Sequence, residues 1–479
     1  MKIAIIGAGI SGLTAAYRLS LNHDIALFEA NDYLGGHTHT VEVEWDGERH
    51  AIDTGFIVFN DWTYPSFIGL LDELGVASRA TSMSFSVRCD AANLEYNGSS
   101  LNGLFAQRRN LLRPSFYRML SDIMRFNRDA PELVLTQPAA DETTVGEFLA
   151  RQRYSREFAE HYLLPMGAAI WSCPLGTFET FPIRFIVEFY KNHGLLSIRN
   201  RPTWRVVEGG SRNYVAAMAE TIIAISEAKR HQPERASVRF DSPRSDSVQN
   251  IPPKTGASAL RLSTPIESVR RSANDVVVVP RNGSPEVFDH VVFACHSDQS
   301  LRMLAEPTAT ERDVLSEFPY GRNIAVLHTD RNVLPKRRRA WASWNYHLAD
   351  PSSNCSGQPA TVTYQMNLLQ HLRSKHIFNV TLNSDQQIDP AKVLRRFEYH
   401  HPIFTVRRAA AQARHRELIN VNRTSFCGAY WGNGFHEDGV VSALRVCESL
   451  LPDVAHAARV CLPESTREAA CHHESEALT

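Results

Sequence analysis

Lys2-Ile-Ala-Ile-Ile-Gly-Ala-Gly-Ile-Ser-Gly-Leu-Thr-Ala-Ala-Tyr-Arg-Leu19 decides the fold. Its first five residues are short and β-rich, as a buried parallel strand requires. Gly7, Gly9 and Gly12 follow, with Ser11 inside the turn, and Leu13 to Leu19 carries the apolar spacing of a helix. Strand, G-x-G-x-x-G and helix in that order make a dinucleotide fingerprint. Gly7 allows the tight turn, Gly9 lets a pyrophosphate approach the backbone, and Gly12 lets helix and strand pack closely. The helix start adds unpaired N–H groups and partial positive charge. A second strand, Asp24 to Phe28, ends at Glu29. That acid stands about 20 residues beyond the glycines, where a carboxylate takes the ribose hydroxyls of an adenosine.

Working outward, Leu34-Gly35-Gly36-His37-Thr38 comes soon after the acid, and Ile52-Asp53-Thr54-Gly55-Phe56 soon after that. Here the chain resembles the flavin-containing amine oxidase superfamily, which includes monoamine oxidases, polyamine oxidases and carotenoid desaturases. That superfamily places a G-G pair and a basic residue after the ribose acid, and a D-x-G turn close to the flavin ring. The resemblance implies FAD as cofactor, held by Gly7, Gly9, Ser11, Gly12, Glu29, Gly35, Gly36, His37, Thr38, Asp53, Thr54, Gly55 and Phe56. It further implies a backbone contact from Ile266 to the adenine and an approach of the turn at Ala294, after a strand that closes the nucleotide sheet.

Near the end, Phe426-Cys-Gly428 reads as a strand ending on glycine, Tyr430 to Gly439 as a loop, and Val440 to Leu450 as a helix. The resemblance implies that Gly428, Asp438, Gly439 and Val440 hold the flavin there, with the helix dipole favouring negative charge on the reduced ring. Tyr430, Phe435 and His436 are the candidate catalytic groups of the loop. His37, His296, His400 and His401 are further candidate polar groups near a flavin.

Length and composition bound the rest. At 479 residues, with 43% hydrophobic and 22% charged residues, the chain has the composition of a soluble globular protein of two or three domains. A formal net charge of −1 gives no steering toward nucleic acid. Lys336-Arg-Arg-Arg339 reads as a solvated loop. The eight cysteines form no C-x-x-C pair, so neither zinc nor a disulfide framework is implied, and no metal is expected. No stretch is long and apolar enough to span a bilayer. The N-terminus lacks a leader, so a cytoplasmic address is expected; peripheral membrane contact stays open, and the oligomeric state is not encoded.

The expected fold is α/β: a discontinuous Rossmann-like FAD-binding domain (1–75, 203–300 and 420–455) and a mixed substrate domain (76–202 and 301–419) with an antiparallel sheet and helices. Asn93 to Gly98 reads as a turn, Arg113 to Arg128 as an amphipathic helix, and Leu301 to Tyr320 as one helix. Residues 228–258, poor in large apolar groups, read as a mobile insertion, and 464–479 as a flexible tail.

Trp204…Gly209-Gly210-Ser211, Leu327-His-Thr-Asp330, Ala340-Trp-Ala-Ser-Trp-Asn-Tyr346 and Gly434-Phe-His-Glu-Asp-Gly439 are similar to a bacterial group of amine-oxidase-like flavoproteins. Members of that group often sit beside cyclopropane-fatty-acid synthases. One departure matters: flavin amine oxidases usually hold a lysine on a substrate-domain strand, and Tyr320 to His328 offers Arg322 or Asn323 instead. This favours a fatty-acyl or lipid substrate, which an apolar segment such as Ala168-Ala-Ile-Trp171 could line. A small amine is the runner-up. The reading from another class is a non-catalytic FAD-binding partner of a lipid-modifying methyltransferase.

Overall fold

The computed structural model describes residues 1–136, 143–197, 199–231, 259–348 and 361–451. Five parallel strands form its first sheet, in the order Leu260–Arg261, Asp24–Phe28, Lys2–Ile6, His290–Phe293 and Thr424–Phe426. Ile3, Ala4 and Ile5 are fully buried, because helices cover one face and a three-stranded antiparallel sheet the other. The strand expected to close this sheet, His290–Phe293, is interior; Thr424–Phe426 forms the edge. A hydrophobic run marks a buried strand but carries no sign of who its neighbour is.

Helix Ile10–Ser20 packs against helices Arg212–His231 and His436–Leu450. Its crossing with the last helix is close: a Cβ on Gly439 would stand 2.7 Å from Ile10 Cγ2. The last helix starts at His436, four residues before the expected Val440, so Asp438 and Gly439 belong to its first turn. Helix Arg212–His231 takes in the first residues of the expected insertion. Residues 232–258 and the tail 464–479 lie outside the described residues.

The second sheet has seven strands, ordered Val393–Pro402, Tyr320–His328, Asn379–Leu382, Val362–Gln365, Trp344–Leu348, Phe85–Cys89 and Leu94–Asn97. It was expected to be antiparallel, yet Trp344–Leu348 runs parallel to Phe85–Cys89. The early hairpin joins the sheet from a distant part of the chain, and alternation of side chains encodes a face but not a direction. Leu94–Asn97 is a strand and not the turn itself; the reversal falls at Asp90–Asn93, where Asn93 donates its N–H to the Asp90 carbonyl at 3.0 Å. The single helix expected over Leu301 to Tyr320 is two, Ser297–Met303 and Ala309–Leu315. Pro307 cannot continue the first, and Thr308 opens the second with a capping box to Glu311.

Helices Pro114–Thr136, Val145–Arg151, Leu164–Trp171 and Ile183–Asn192 build an aromatic core around Phe126, Phe158, Trp171 and Phe181. Cys89, Cys173, Cys295, Cys427 and Cys447 are free thiols. Among the described residues no helix is long and apolar enough to cross a membrane, and no group of three His, Cys, Asp or Glu could hold a metal ion.

Candidate cofactor and active site

The three turns singled out in the sequence dock on one another. Gly35 donates its N–H to the Ala8 carbonyl at 2.8 Å, and Phe56 donates to the His37 carbonyl at 2.7 Å. A Cβ on Gly12 would stand 1.8 Å from the Gly7 carbonyl oxygen, whereas one on Gly9 would meet nothing within 4 Å. Gly12 therefore serves the packing of the fold, and Gly9 faces open space. No side chain caps the helix that starts after Gly9, which leaves its first N–H groups to an anionic ligand. Ser11 is buried beside this turn.

The Glu29 carboxylate accepts the Ala8 N–H at 2.8 Å and the backbone and side-chain N–H groups of Asn31 at 2.9 and 3.0 Å. An ionised carboxylate has about four acceptor positions, so capacity remains for a hydroxyl. Thr264 donates its N–H to the Glu29 carbonyl at 2.8 Å, which brings the strand beginning at Ile266 alongside. Ile266 is itself buried. Ala294 borders the other side, its carbonyl 3.0 Å from where a Gly7 Cβ would stand.

Asp53 is fully buried, and its carboxylate works as a staple. It accepts from Thr40 Oγ1 at 2.5 Å, Ser211 Oγ at 2.8 Å, the Ser211 N–H at 3.0 Å and Gln370 Nε2 at 3.0 Å. Desolvation pushes its pKa up to about 6, against the opposing pull of the Thr40 and Ser211 bonds. Thr54 Oγ1 donates to the His39 carbonyl at 3.0 Å and lies 2.9 Å from the Tyr399 hydroxyl. The D-x-G turn thus ties the first sheet's loops to helix Arg212–His231 and to the second sheet.

His436 sits at the start of the last helix, its ring 3.5 Å from that of Phe56 in a stacked pair. Its Nε2 lies 2.9 Å from both Thr38 Oγ1 and the Tyr214 hydroxyl. Burial pushes its pKa well down, so the ring is neutral and already hydrogen-bonded. Phe435 donates its N–H to Asp438 at 2.8 Å and turns its ring to Phe189, 5.4 Å away. Gly428 donates its N–H to Ser442 Oγ at 2.9 Å, and Val440 is buried in the core beneath. The Tyr430 ring borders Gly428, where an added Cβ would stand 2.3 Å from Tyr430 Cε1, but packs with Phe318 and Trp431, each 5.0 Å away, and not with His436 or Phe435.

A cluster of buried and half-buried rings gathers at His37. Its ring lies 5.2 Å from Tyr399, 5.4 Å from His401 and 6.1 Å from His296. Desolvation pushes the pKa of all three histidines down, aided for His296 and His401 by their closeness to His37. His37 Nε2 is shielded from solvent and has no hydrogen-bond partner. Strand pairing sets Gly321 opposite His401, Asn323 opposite Tyr399 and Ala325 opposite Phe397, so Asn323 shares the sheet face of Tyr399 and His401. Arg322 faces away and pairs with Glu398 at 2.8 Å; no lysine stands on this strand.

Sequence reasoning missed Tyr214, Tyr399, Ser211 and Gln370 as supports of the site. The run Tyr399-His400-His401 held a signal: in an extended segment, alternate residues share a face, which joins Tyr399 to His401. Nothing in the sequence pointed to Gln370.

An open turn at Gly9, an unfilled acceptor at Glu29 and an orphaned nitrogen on His37 fit a dinucleotide that runs from the first sheet toward His37, as FAD would. Comparison with solved structures finds a putrescine oxidase bound to putrescine, with a TM-score of 0.62 and 14% identity over 94% of this chain and 99% of that one. A CLA-producing fatty acid isomerase from P. acnes gives 0.60 and 13% identity over 94% and 97%. Among curated proteins, a stretch of 77 residues is 34% identical to zeta-carotene desaturase of Synechocystis sp., and this match spans only 16% of the chain and 15% of that relative. The model of the family "Flavin containing amine oxidoreductase" matches residues 10–364. By that match over most of its length, the chain belongs to the flavin-containing amine oxidoreductases, FAD-dependent oxidoreductases with the two-domain fold described above.

Proposed function

We propose that this protein is an FAD-dependent oxidoreductase that removes hydride from a C–H bond of a fatty-acyl or other lipid substrate. When bound, FAD supplies the two-electron acceptor. In this reading the Gly7–Gly12 turn takes the pyrophosphate and Glu29 a ribose, with Ile266 and Ala294 flanking the adenosine. Gly35–Thr38, Asp53–Phe56, Gly428 and Asp438–Val440 frame the ring. FAD-binding segments 1–75, 203–300 and 420–455 then alternate with substrate-domain segments 76–202 and 301–419.

One observation carries the substrate class. From Phe435 a run of packed rings in the buried aromatic core passes through Phe189 at 5.4 Å, Trp171 at a further 4.8 Å and Phe404 at a further 5.9 Å, to Phe185 at a further 5.0 Å. No carboxylate interrupts it. Glu437 is committed to the N–H groups of Ser66 and Phe67, both at 2.9 Å, and Asp438 to that of Phe435. An ammonium group would find aromatic faces, which attract a cation, and neutral histidines, but no carboxylate to offset the rest of its desolvation. An acyl chain meets surface that gains about 25 cal/mol per Å² buried. His37, His296 and His401 add no charge at neutral pH, so in this reading a substrate beside them is oriented by shape and exclusion of water. The fatty acid isomerase neighbour and the carotene desaturase match act, by name, on long hydrocarbon substrates. The putrescine oxidase neighbour supports the amine alternative.

Anaerobic bleaching of the flavin absorbance separates the two, using one panel of unsaturated fatty acids and phospholipids and one of primary and secondary amines. Bleaching by the lipid panel is the expected result. Bleaching by amines alone overturns it.

A further inference from the structure

Three short elements of the substrate region come together at an exposed tip: helix Leu101–Leu104, the 3-10 turn Arg108–Leu112 and the start of helix Pro114–Thr136. The tip displays large apolar side chains to solvent. Leu112 is 89% exposed, Leu101 76%, and Leu111 and Tyr117 46% each. Tyr117 donates its hydroxyl to the Leu111 carbonyl at 2.9 Å, which fixes that leucine at the apex. A patch of this kind on a folded surface marks an interaction site.

The charge around it is mostly positive. Between Leu101 and Ser121 stand Arg108, Arg109, Arg113 and Arg118 and no Asp or Glu. Helix Leu101–Leu104 also packs against the turn Arg338–Ala340, so the run Lys336-Arg-Arg-Arg339, expected from sequence to be an ordinary solvated loop, borders the same patch. Some of this charge is answered: Arg337 pairs with Glu95 at 3.0 Å and Arg118 with Glu157 at 3.4 Å. Arg108 is held on the tip itself, donating to the Phe105 carbonyl at 2.8 Å and to Asn102 at 2.6 Å.

We propose that this tip docks on an anionic membrane surface, with Leu101, Leu111 and Leu112 entering the headgroup region and the surrounding arginines meeting lipid phosphates. A second copy of the chain fits poorly, because a two-fold contact would set this arginine-rich patch against itself. A nucleic acid would answer the arginines but leave the leucines at the centre without apolar cover. Only a lipid surface offers both phosphate and hydrocarbon. The inner face of helix Pro114–Thr136 gives the site a further role: Phe126 and Ile123 pack into the aromatic core that holds Trp171 and Phe189. The helix that would lie on the membrane also packs on the buried core that Phe435 touches.

The test is co-sedimentation of the flavin-loaded protein with vesicles of phosphatidylcholine alone or with phosphatidylglycerol added. Binding to the anionic vesicles is expected, with release as salt is raised. Leu112→Glu, at a side chain that the fold leaves to solvent, should weaken it by about 10- to 100-fold, with the flavin spectrum unchanged. Equal binding by Leu112→Glu, or wild-type protein left in the supernatant with anionic vesicles at low salt, overturns the proposal. So does a dimer that Leu112→Glu splits on size exclusion, which would assign the tip to a second copy. The readout needs no turnover, so its failure leaves the lipid-substrate reading to the bleaching experiment.

Discussion

Gly9→Ala is the sharpest probe of the nucleotide site, because the structure separates its effects on fold and ligand. Gly9 adopts φ −71° and ψ −177°, a conformation alanine takes without strain, and an added Cβ meets no atom within 4 Å. In the cofactor-free protein the substitution should be neutral or stabilising by about 0.4–1 kcal/mol, through the narrower unfolded ensemble. With FAD present the new methyl enters the space the pyrophosphate needs. Forcing one carbon into a filled contact costs about 1–3 kcal/mol, which is about 5- to 150-fold in Kd. Gly12→Ala makes the contrast: its Cβ would stand 1.8 Å from the Gly7 carbonyl oxygen, so it should lower the melting temperature of the apoprotein itself. The assay pairs a flavin-fluorescence titration of the apoprotein with a thermal melt. An unchanged Kd for Gly9→Ala, or a lower apoprotein melting temperature, would refute the assignment.

Glu29→Gln should raise the FAD dissociation constant about tenfold or more, since a charge-assisted bond to a hydroxyl is worth about 1.5–3 kcal/mol; a titration showing no change would move the ribose contact elsewhere. Acid should unfold the protein between pH 6 and pH 4. His193, His290, His328 and His415 are buried, and burial pushes each down to about 4 from 6.5. A depressed histidine contributes stability that is present above its unfolded pKa and lost as pH falls toward the folded one. That is about 3 kcal/mol for each of the four by pH 4. Asp53 and Asp438, both raised to about 6, work the other way and each regain about 2 kcal/mol by pH 4, so the four histidines still win by an amount comparable with a typical total stability of about 5–15 kcal/mol. Circular dichroism against pH checks this, and an unaltered fold at pH 4 would show that these rings are solvated.

How much of this could be read from the chain depends on the distance over which each feature is encoded. The first strand, turn and helix are local. Residues 2–20 contain the whole pattern, so the parallel sheet and the open Gly9 were legible. Pro307 was a local signal too, and a reading that weighed it would have split the helix expected over Leu301 to Tyr320. The parallel pairing of Trp344–Leu348 with Phe85–Cys89 joins segments that lie far apart, and neither one encodes its partner. The start of the last helix was obscured by Gly432, Gly434 and Gly439, residues that ordinarily mark a loop. Gly439 is helical because the crossing with Ile10 demands the absence of a side chain there, a reason visible only once both helices are placed.

The supports of the site share one design. Each turn of the first 56 residues is anchored by a side chain from a segment that folds far away in sequence. Glu29 is the exception, answered by Ala8 and Asn31. Thr38 meets Tyr214 and His436, Asp53 meets Ser211 and Gln370, and Thr54 meets Tyr399. Glu29 is thus held locally, while the ring cluster beside His37 exists only after helix Arg212–His231, strand Val393–Pro402 and helix His436–Leu450 have all arrived. A ligand that bridges fingerprint and ring cluster binds the assembled chain and not its parts. By mass action it stabilises the whole assembly, about 2.7 kcal/mol at a hundredfold excess over Kd, and that gain falls on the long-range contacts that sequence alone did not disclose.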